Sequence, residues 1–266
     1  GGKFEGWGTS FCWWPNRIGY LDELSEQAAK LFFDPKEGLG LNIIRYNIGG
    51  GDDPTHHHIT RTDSMVPGYA INPSHDANGY HWSYDWNADQ NQRNVLMKVA
   101  ECYGKDLIVE GFSNSPPYFM TNSGCSSGSV NAGENNLRED AYGAFASYLA
   151  DVAQHFSKEW GIHFQSMTAM NEPDTEYWHA LSDKQEGCHF DPGESQSVMI
   201  IALREALDER GLNDILISGT DETGIDCQIN SINSLSEVAR ETIARIDTHS
   251  YLEGDNEGLR KLAQSY

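Results

Sequence analysis

An apolar run over residues 164–170 ends in Asn171-Glu172-Pro173, and the aromatic pair Tyr177-Trp178 follows shortly after. Proline stops strand pairing, so the Glu172 carboxyl is left at the carboxyl end of a strand, the end where parallel α/β barrels carry out their chemistry. A carboxyl group there can hand a proton to a departing oxygen and later take one from water. Cleavage of a glycosidic bond needs that group and a second carboxyl, about 5–5.5 Å away for retention or about 6.5–9.5 Å for inversion. Asn171 offers an amide to a hydroxyl beside the reacting carbon, and the flat ring of Trp178 suits the apolar face of a sugar. The competing reading of Glu172 is structural, a glutamate paired to arginine at the mouth of a barrel.

Other expected strand ends supply side chains of the same kind. Arg45 closes the second strand and can hold a carboxylate ionised through a bidentate contact. Asp52 and Asp53 lie just beyond it, as acceptors for sugar hydroxyls or as caps of the loop. Asn114 follows the third strand, ahead of the rigid Pro116-Pro117 pair. His249 and Tyr251 fall on one side of the sixth strand, because side chains alternate with a period of two. Asp221 and Glu222 end the fifth strand, where Glu222 reads as a wall of the cleft. Trp13, Trp14, Tyr80, Trp82, Tyr84 and Trp86 are candidates for stacking or for plain packing.

The elements that must position these groups alternate between strand-like and helix-like patterns. Strands are expected at 4–10, 41–46, 106–112, 164–170, 215–218 and 246–251. Helices are expected at 19–33, 95–103, 137–160, 199–207 and 232–243, with a last one from about 258. The stretch 49–87 reads as a long irregular loop walling a cleft. Strands joined by helical crossovers imply a parallel sheet, and no GxGxxG follows any strand, so a (β/α)8 TIM barrel is favoured over a dinucleotide-binding sheet. Six βα units are counted, and residues 1–266 are expected to form one barrel domain that is incomplete at its C-terminus.

Composition narrows the partners. The 40 acidic side chains outnumber the 18 Lys and Arg, for a formal net charge of −22. Such a surface repels phosphate backbones and anionic lipid, so neither nucleic acid nor membrane is expected as a partner. No apolar run is long enough to span a bilayer. No cofactor is expected, and no metal: the adjacent His56, His57 and His58 cannot easily all face one ion, and no helical HxxxH spacing supports them. The absence of GxSxG argues against a serine nucleophile. Of the five cysteines, Cys102 reads as a free thiol on a helix, whereas Cys125 and Cys188, both in loops after strands, are candidates for a disulfide. That pairing would suit a secreted or periplasmic protein whose leader has been removed.

Taken together, Gly6-Trp7-Gly8-Thr9-Ser10, Arg45 through Asp53 (RYNIGGGDD), Phe112 through Pro117 (FSNSPP) and Met170-Asn171-Glu172-Pro173 resemble glycoside hydrolase family 30. Residues 184–190 (KQEGCHF) are similar to its endo-β-1,6-galactanase branch. The resemblance runs through essentially the whole chain in order. It implies a (β/α)8 barrel carrying a β-sandwich, retaining hydrolysis of β-1,6-linked galactose chains such as those of arabinogalactan, and carbohydrate as the partner. Glu172 matches the acid/base, Asn171 its neighbour, and Arg45 and Asp52 positions lining the terminal-sugar subsite. The family's nucleophile is a Glu ending strand seven; it is expected beyond residue 266, as is the sandwich, and the 266 residues alone are expected not to hydrolyse galactan. The alternatives are another specificity of the family (β-1,6-glucanase, β-xylosidase or xylanase) or a non-catalytic carbohydrate-binding remnant.

Overall fold

The computed structural model describes residues 3–265. In chain order the elements are β1 (Gly8–Ser10), α1 (Trp14–Ile18), α2 (Asp22–Phe33), β2 (Ile43–Asn47), β3 (Ala70–Asp76), β4 (Gly79–Tyr84), α3 (Gln90–Tyr103) and β5 (Ile108–Phe112). There follow α4 (Tyr142–Trp160), β6 (Ser166–Thr168), α5 (Glu194–Glu209), β7 (Leu216–Gly224), α6 (Ile225–Ser234), α7 (Glu237–Thr242), β8 (Ile243–Leu252) and α8 (Asn256–Ala263). Six strands form one sheet in the order β1-β2-β5-β6-β7-β8, every neighbouring pair parallel. Consecutive strands are therefore neighbours, the winding of a (β/α)8 barrel with six of its units in place and β1 and β8 as free edges.

The core lies between this sheet and the helices. Along β2, Ile44 and Tyr46 are fully buried, and the Tyr46 ring meets Phe156 of α4 at 5.2 Å and Phe164 at 6.2 Å between centroids. Alternation then turns Arg45 to the opposite face, into the bowl of the barrel. Helix α4 buries Phe145, Ala146, Leu149, Val152, Ala153 and Phe156 at the i, i+3, i+4 spacing of a helix packed on a sheet. It ends at Gly161, whose φ of 67° gives the left-handed turn that closes a helix.

Three expectations give way. The stretch 49–87 is not irregular throughout: β3 and β4 pair as an antiparallel hairpin. Tyr80, Trp82 and Tyr84 alternate along β4 and pack against the core. Trp86 stacks on Tyr84 at 4.5 Å and on His155 of α4 at 3.7 Å. These rings are spent on packing. The helix expected at 232–243 is two, α6 and α7, separated by an extended Leu235; the Ser236 side chain accepts from Ala239 N to start α7. Finally, Leu137 does not open α4 but bridges Thr121. Among the described residues, no helix is long and apolar enough to cross a membrane.

Candidate active site

An open cavity of about 800 Å³ lies at the carboxyl ends of the strands. Arg45, Asn114, Asn171, Glu172, His249 and Tyr251 all line it, joined by Asp221, Glu110, Arg245 and Trp13. Residues as far apart as 45 and 251 converge because they lie on or just after neighbouring parallel strands: Arg45 on β2, Asn114 after β5, Asn171 and Glu172 after β6, His249 and Tyr251 on β8.

Glu172 has a φ of 49°, a left-handed conformation rare for a side chain this long and opposed further by the proline after it. Its backbone is held on both sides. Glu172 N donates to Asp221 O at 2.8 Å, while its carbonyl accepts from Thr175 Oγ1 at 2.9 Å and Trp178 Nε1 at 3.0 Å. Such strain persists where surrounding contacts over-determine it, and it marks functional sites. The carboxylate accepts a hydrogen bond from Tyr177 OH at Oε2, and His249 Nδ1 lies 3.5 Å from Oε1. Burial, then the bond to Glu172, pushes the Tyr177 phenol well above its ordinary range, so Tyr177 remains a donor.

Asp221 is the neighbour that sequence reading left without a role. Its φ of 57° accompanies an irregular register between Thr220 and Glu222, which swings its carboxylate into the bowl. Arg45 Nη2 pairs with Asp221 Oδ2 and donates to Asn171 Oδ1 at 2.9 Å, which leaves the amide's NH2 as its free end. His249 Nε2 stands 3.3 Å from Asp221 Oδ1, near enough for charge but out of line for a hydrogen bond. Burial works against the Asp221 charge, yet Arg45 and then His249 outweigh it and hold this carboxyl below the usual aspartate range. Arg45 also lies over the Phe112 ring, 3.3 Å from its centroid. His249 and Tyr251 face the cavity together, rings 5.0 Å apart. Asn114 Nδ2 has no partner among the described residues.

The remaining expected site residues lie elsewhere. Trp178 is buried behind Glu172, supporting it from below. Asp52 and Asp53 line a second cavity of about 560 Å³, with His56, Tyr118 and Glu186; the loop after Gly51 turns them away from Glu172. Glu222 is no cleft wall: it is fully buried, accepting from Gln196 Nε2 at 2.9 Å, Ser231 Oγ at 2.6 Å and Asp174 N at 3.0 Å. All five cysteines are free. The disulfide fails because Cys188 is packed in the hydrophobic core, while Cys125 turns toward His58, at 3.4 Å from Nε2.

Burial raises Glu222 to about 7, Glu110 and Glu186 to about 8, and Asp89 to about 7. A carboxyl raised in the folded state binds its proton more tightly there than when unfolded. Its stability contribution is therefore full below the ordinary carboxylate pKa and is lost as pH rises from there through the folded value of about 7–8, by at most about 1.4 kcal/mol per pH unit per group. The denaturation midpoint is expected to fall between about pH 5 and pH 8, and Glu222→Gln to flatten that slope. A slope unchanged in the variant would show that Glu222 does not titrate there.

A Cβ added at Gly187 would sit 2.1 Å from Trp178 Cε3. Gly187→Ala must therefore displace the ring that holds the Glu172 carbonyl. Thermal denaturation should show a loss of about 1–3 kcal/mol, with tryptophan fluorescence shifted as the ring leaves its site.

The likeness to known proteins agrees with this geometry. A family model described as O-Glycosyl hydrolase family 30 matches residues 5–236. The chain is 37% identical over 272 residues to the endo-beta-1,6-galactanase of Hypocrea rufa, covering 95% of this chain and 54% of that protein. It is 26% identical to an exo-beta-1,6-galactobiohydrolase of Bifidobacterium longum subsp. longum, over 99% of this chain and 23% of that one. The chain thus spans about half the galactanase's length, and less of the other's. Among solved structures, SrfJ from Salmonella typhimurium superposes with a TM-score of 0.74 at 16% identity, covering 99% of this chain and 54% of that one. A conserved exported protein from Bacteroides fragilis gives 0.70 at 24% identity, over 88% and 46%. These two share the fold. With its family motifs on successive barrel strands and its match from residue 5 to residue 236, the chain belongs to glycosyl hydrolase family 30.

Proposed function

We propose that this chain carries the acid/base half of a retaining hydrolase that cleaves β-1,6-linked galactan. One observation carries the reading: Glu172, at a strand's carboxyl end, opens into a cavity of about 800 Å³ that is also lined by the hydrogen-bonding side chains of Arg45, Asn114, Asn171, His249 and Tyr251. In the first step Glu172 gives its proton to the departing glycosidic oxygen; in the second it takes a proton from the water that releases the bound sugar. Tyr177 and His249 orient the carboxyl between those steps. Arg45 fixes Asn171 so that its NH2 meets a hydroxyl beside the reacting carbon, and Asn114 Nδ2 supplies a second donor. Asp221, engaged by Arg45 and His249, positions those groups.

The attacking carboxylate is proposed to lie on a seventh strand outside these 266 residues. Such a strand would pair with the free edge of β8, where Tyr251 and Leu252 are exposed. Residues 1–266 are then most of one barrel domain. Galactan is favoured by the 37% identity to the Hypocrea rufa enzyme, and a polymer substrate supports a secreted or periplasmic setting. Product analysis on β-1,6-galactan, β-1,6-glucan and xylan tests this. Release of galacto-oligosaccharides from the first alone is expected. Turnover confined to glucan or xylan would move the specificity within the family, and binding without turnover by the full-length protein would leave a carbohydrate-binding remnant.

A further inference from the structure

Beside the second cavity, Asp52, His56, His58 and Cys125 each turn one donor atom toward a common point, and these atoms lie within 4.8 Å of one another. His58 Nε2 is 2.6 Å from Asp52 Oδ2 and 3.4 Å from Cys125 Sγ, while His56 Nδ1 is 3.4 Å from Asp52 Oδ1. Around tetrahedral zinc, bonds of about 2.0–2.3 Å place neighbouring donors roughly 3.3–3.7 Å apart. The set needs adjustments of about an ångström to reach that geometry.

The surroundings of the donors point to a cation. His58 Nδ1 lies 2.5 Å from Ser182 O, and a carbonyl oxygen only accepts, so Nδ1 carries the hydrogen. A neutral ring then aims the Nε2 lone pair at a carboxylate oxygen and a sulfur. Donor atoms converging in this way need hydrogens between them, from a ring or the thiol, or a metal ion. The link from Nδ1–H to a backbone carbonyl is also the one that orients ligating histidines. On the far side, Leu181 N donates to Cys125 Sγ at 3.3 Å and Ser126 N donates to Asp52 Oδ1 at 3.0 Å. Ring protons and the Cys125 thiol hydrogen satisfy these atoms pairwise, with Ser127 Oγ also 3.2 Å from the sulfur, whereas a single metal ion would satisfy all four donors at one point.

We propose that Asp52, His56, His58 and Cys125 bind a divalent cation of the zinc class in a closed tetrahedral site. As the sulfur–metal and nitrogen–metal bonds form, the thiol proton and any second imidazole proton pass to solvent. Four protein donors leave no open position, so the role is structural. The ion would tie the 52–58 loop to the segment around Cys125, and through Ser182 to the loop that follows Trp178. The consecutive histidines look unpromising as a sequence because the thiolate comes from 67 residues beyond His58.

The test titrates the chelator-stripped, reduced protein with zinc chloride against a chromophoric competitor, and in parallel with cobalt chloride. One equivalent of zinc should bind, and the cobalt(II) form should show strong tetrahedral d–d bands with a sulfur-to-cobalt charge-transfer band. His58→Ala and Cys125→Ser should each weaken zinc binding at least about tenfold, and Cys125→Ser should abolish the charge-transfer band. His57→Ala, whose ring is outside the set, should change neither. His56 is only half-buried, so His56→Ala stays folded and must also weaken binding if the proposal holds. Absence of stoichiometric binding, or affinity unaltered in His56→Ala and in whichever of the other two ligand variants folds, would overturn it and leave the cluster as hydrogen bonds among its own side chains. None of these readouts depends on glycosidase activity.

Discussion

Glu172→Gln is expected to lower turnover of β-1,6-galactan by about 10²–10⁴-fold in the full-length protein, the range that a positioned general acid contributes. Glutamine keeps the shape of the side chain and can still accept from Tyr177, so the fold and galacto-oligosaccharide binding should change little. The loss should fall on kcat, since the proton moves only in the transition state. Leaving-group dependence supplies a sharper reading. An aryl galactoside whose phenol departs without protonation bypasses the acid in the first step, so its glycosylation rate should be far less impaired than that of galactan. Equal losses on both substrates would remove Glu172 from the acid role, and full activity in the variant would remove it from the chemistry.

Arg45→Ala should be the most destabilising single change at the site. It leaves the Asp221 carboxylate, 5% exposed, without its main partner and also removes the donor to Asn171 Oδ1. Breaking a buried pair from one side costs about 3–5 kcal/mol, because the remaining charge stays out of water. The sign with pH follows from Asp221. In the native protein its depressed pKa means that the pairing contributes fully above the ordinary aspartate range and is lost only as pH falls through the lower, folded value. Without Arg45, burial raises that carboxyl instead, so acid protonates it and relieves the variant. The gap in denaturation midpoint between native protein and Arg45→Ala should therefore be widest near neutral pH and narrow as pH falls. Arg45→Lys should lie between, since an ammonium keeps the charge but not the planar guanidinium that lies over Phe112 and reaches both Asp221 and Asn171 through Nη2. A gap independent of pH would place the stabilisation in the packing of the guanidinium over Phe112 rather than in charge.

What the amino-acid sequence determined by itself was the periodic part of the molecule. Alternating strand and helix patterns carried the parallel order β1-β2-β5-β6-β7-β8, because burial of one face of each element is written locally. The proline after Glu172 and the period of two in β8 likewise placed Glu172, His249 and Tyr251 at one end of the sheet. Hairpin β3–β4 escaped notice because its aromatic alternation only makes sense against α4, which lies elsewhere in the chain.

Tertiary structure alone decided which of two adjacent carboxyls, Asp221 or Glu222, faces the bowl. That choice turns on a left-handed residue and a register shift in β7, neither of which has a signature in the residue types. It also separated Asp52 and Asp53 from Glu172, kept Cys188 in the core, and brought Cys125 to His58. Loop direction is set by contacts between segments far apart in sequence. Patterns over a few neighbouring residues carry no record of those contacts, whereas the strands that present Glu172 are specified by their neighbours.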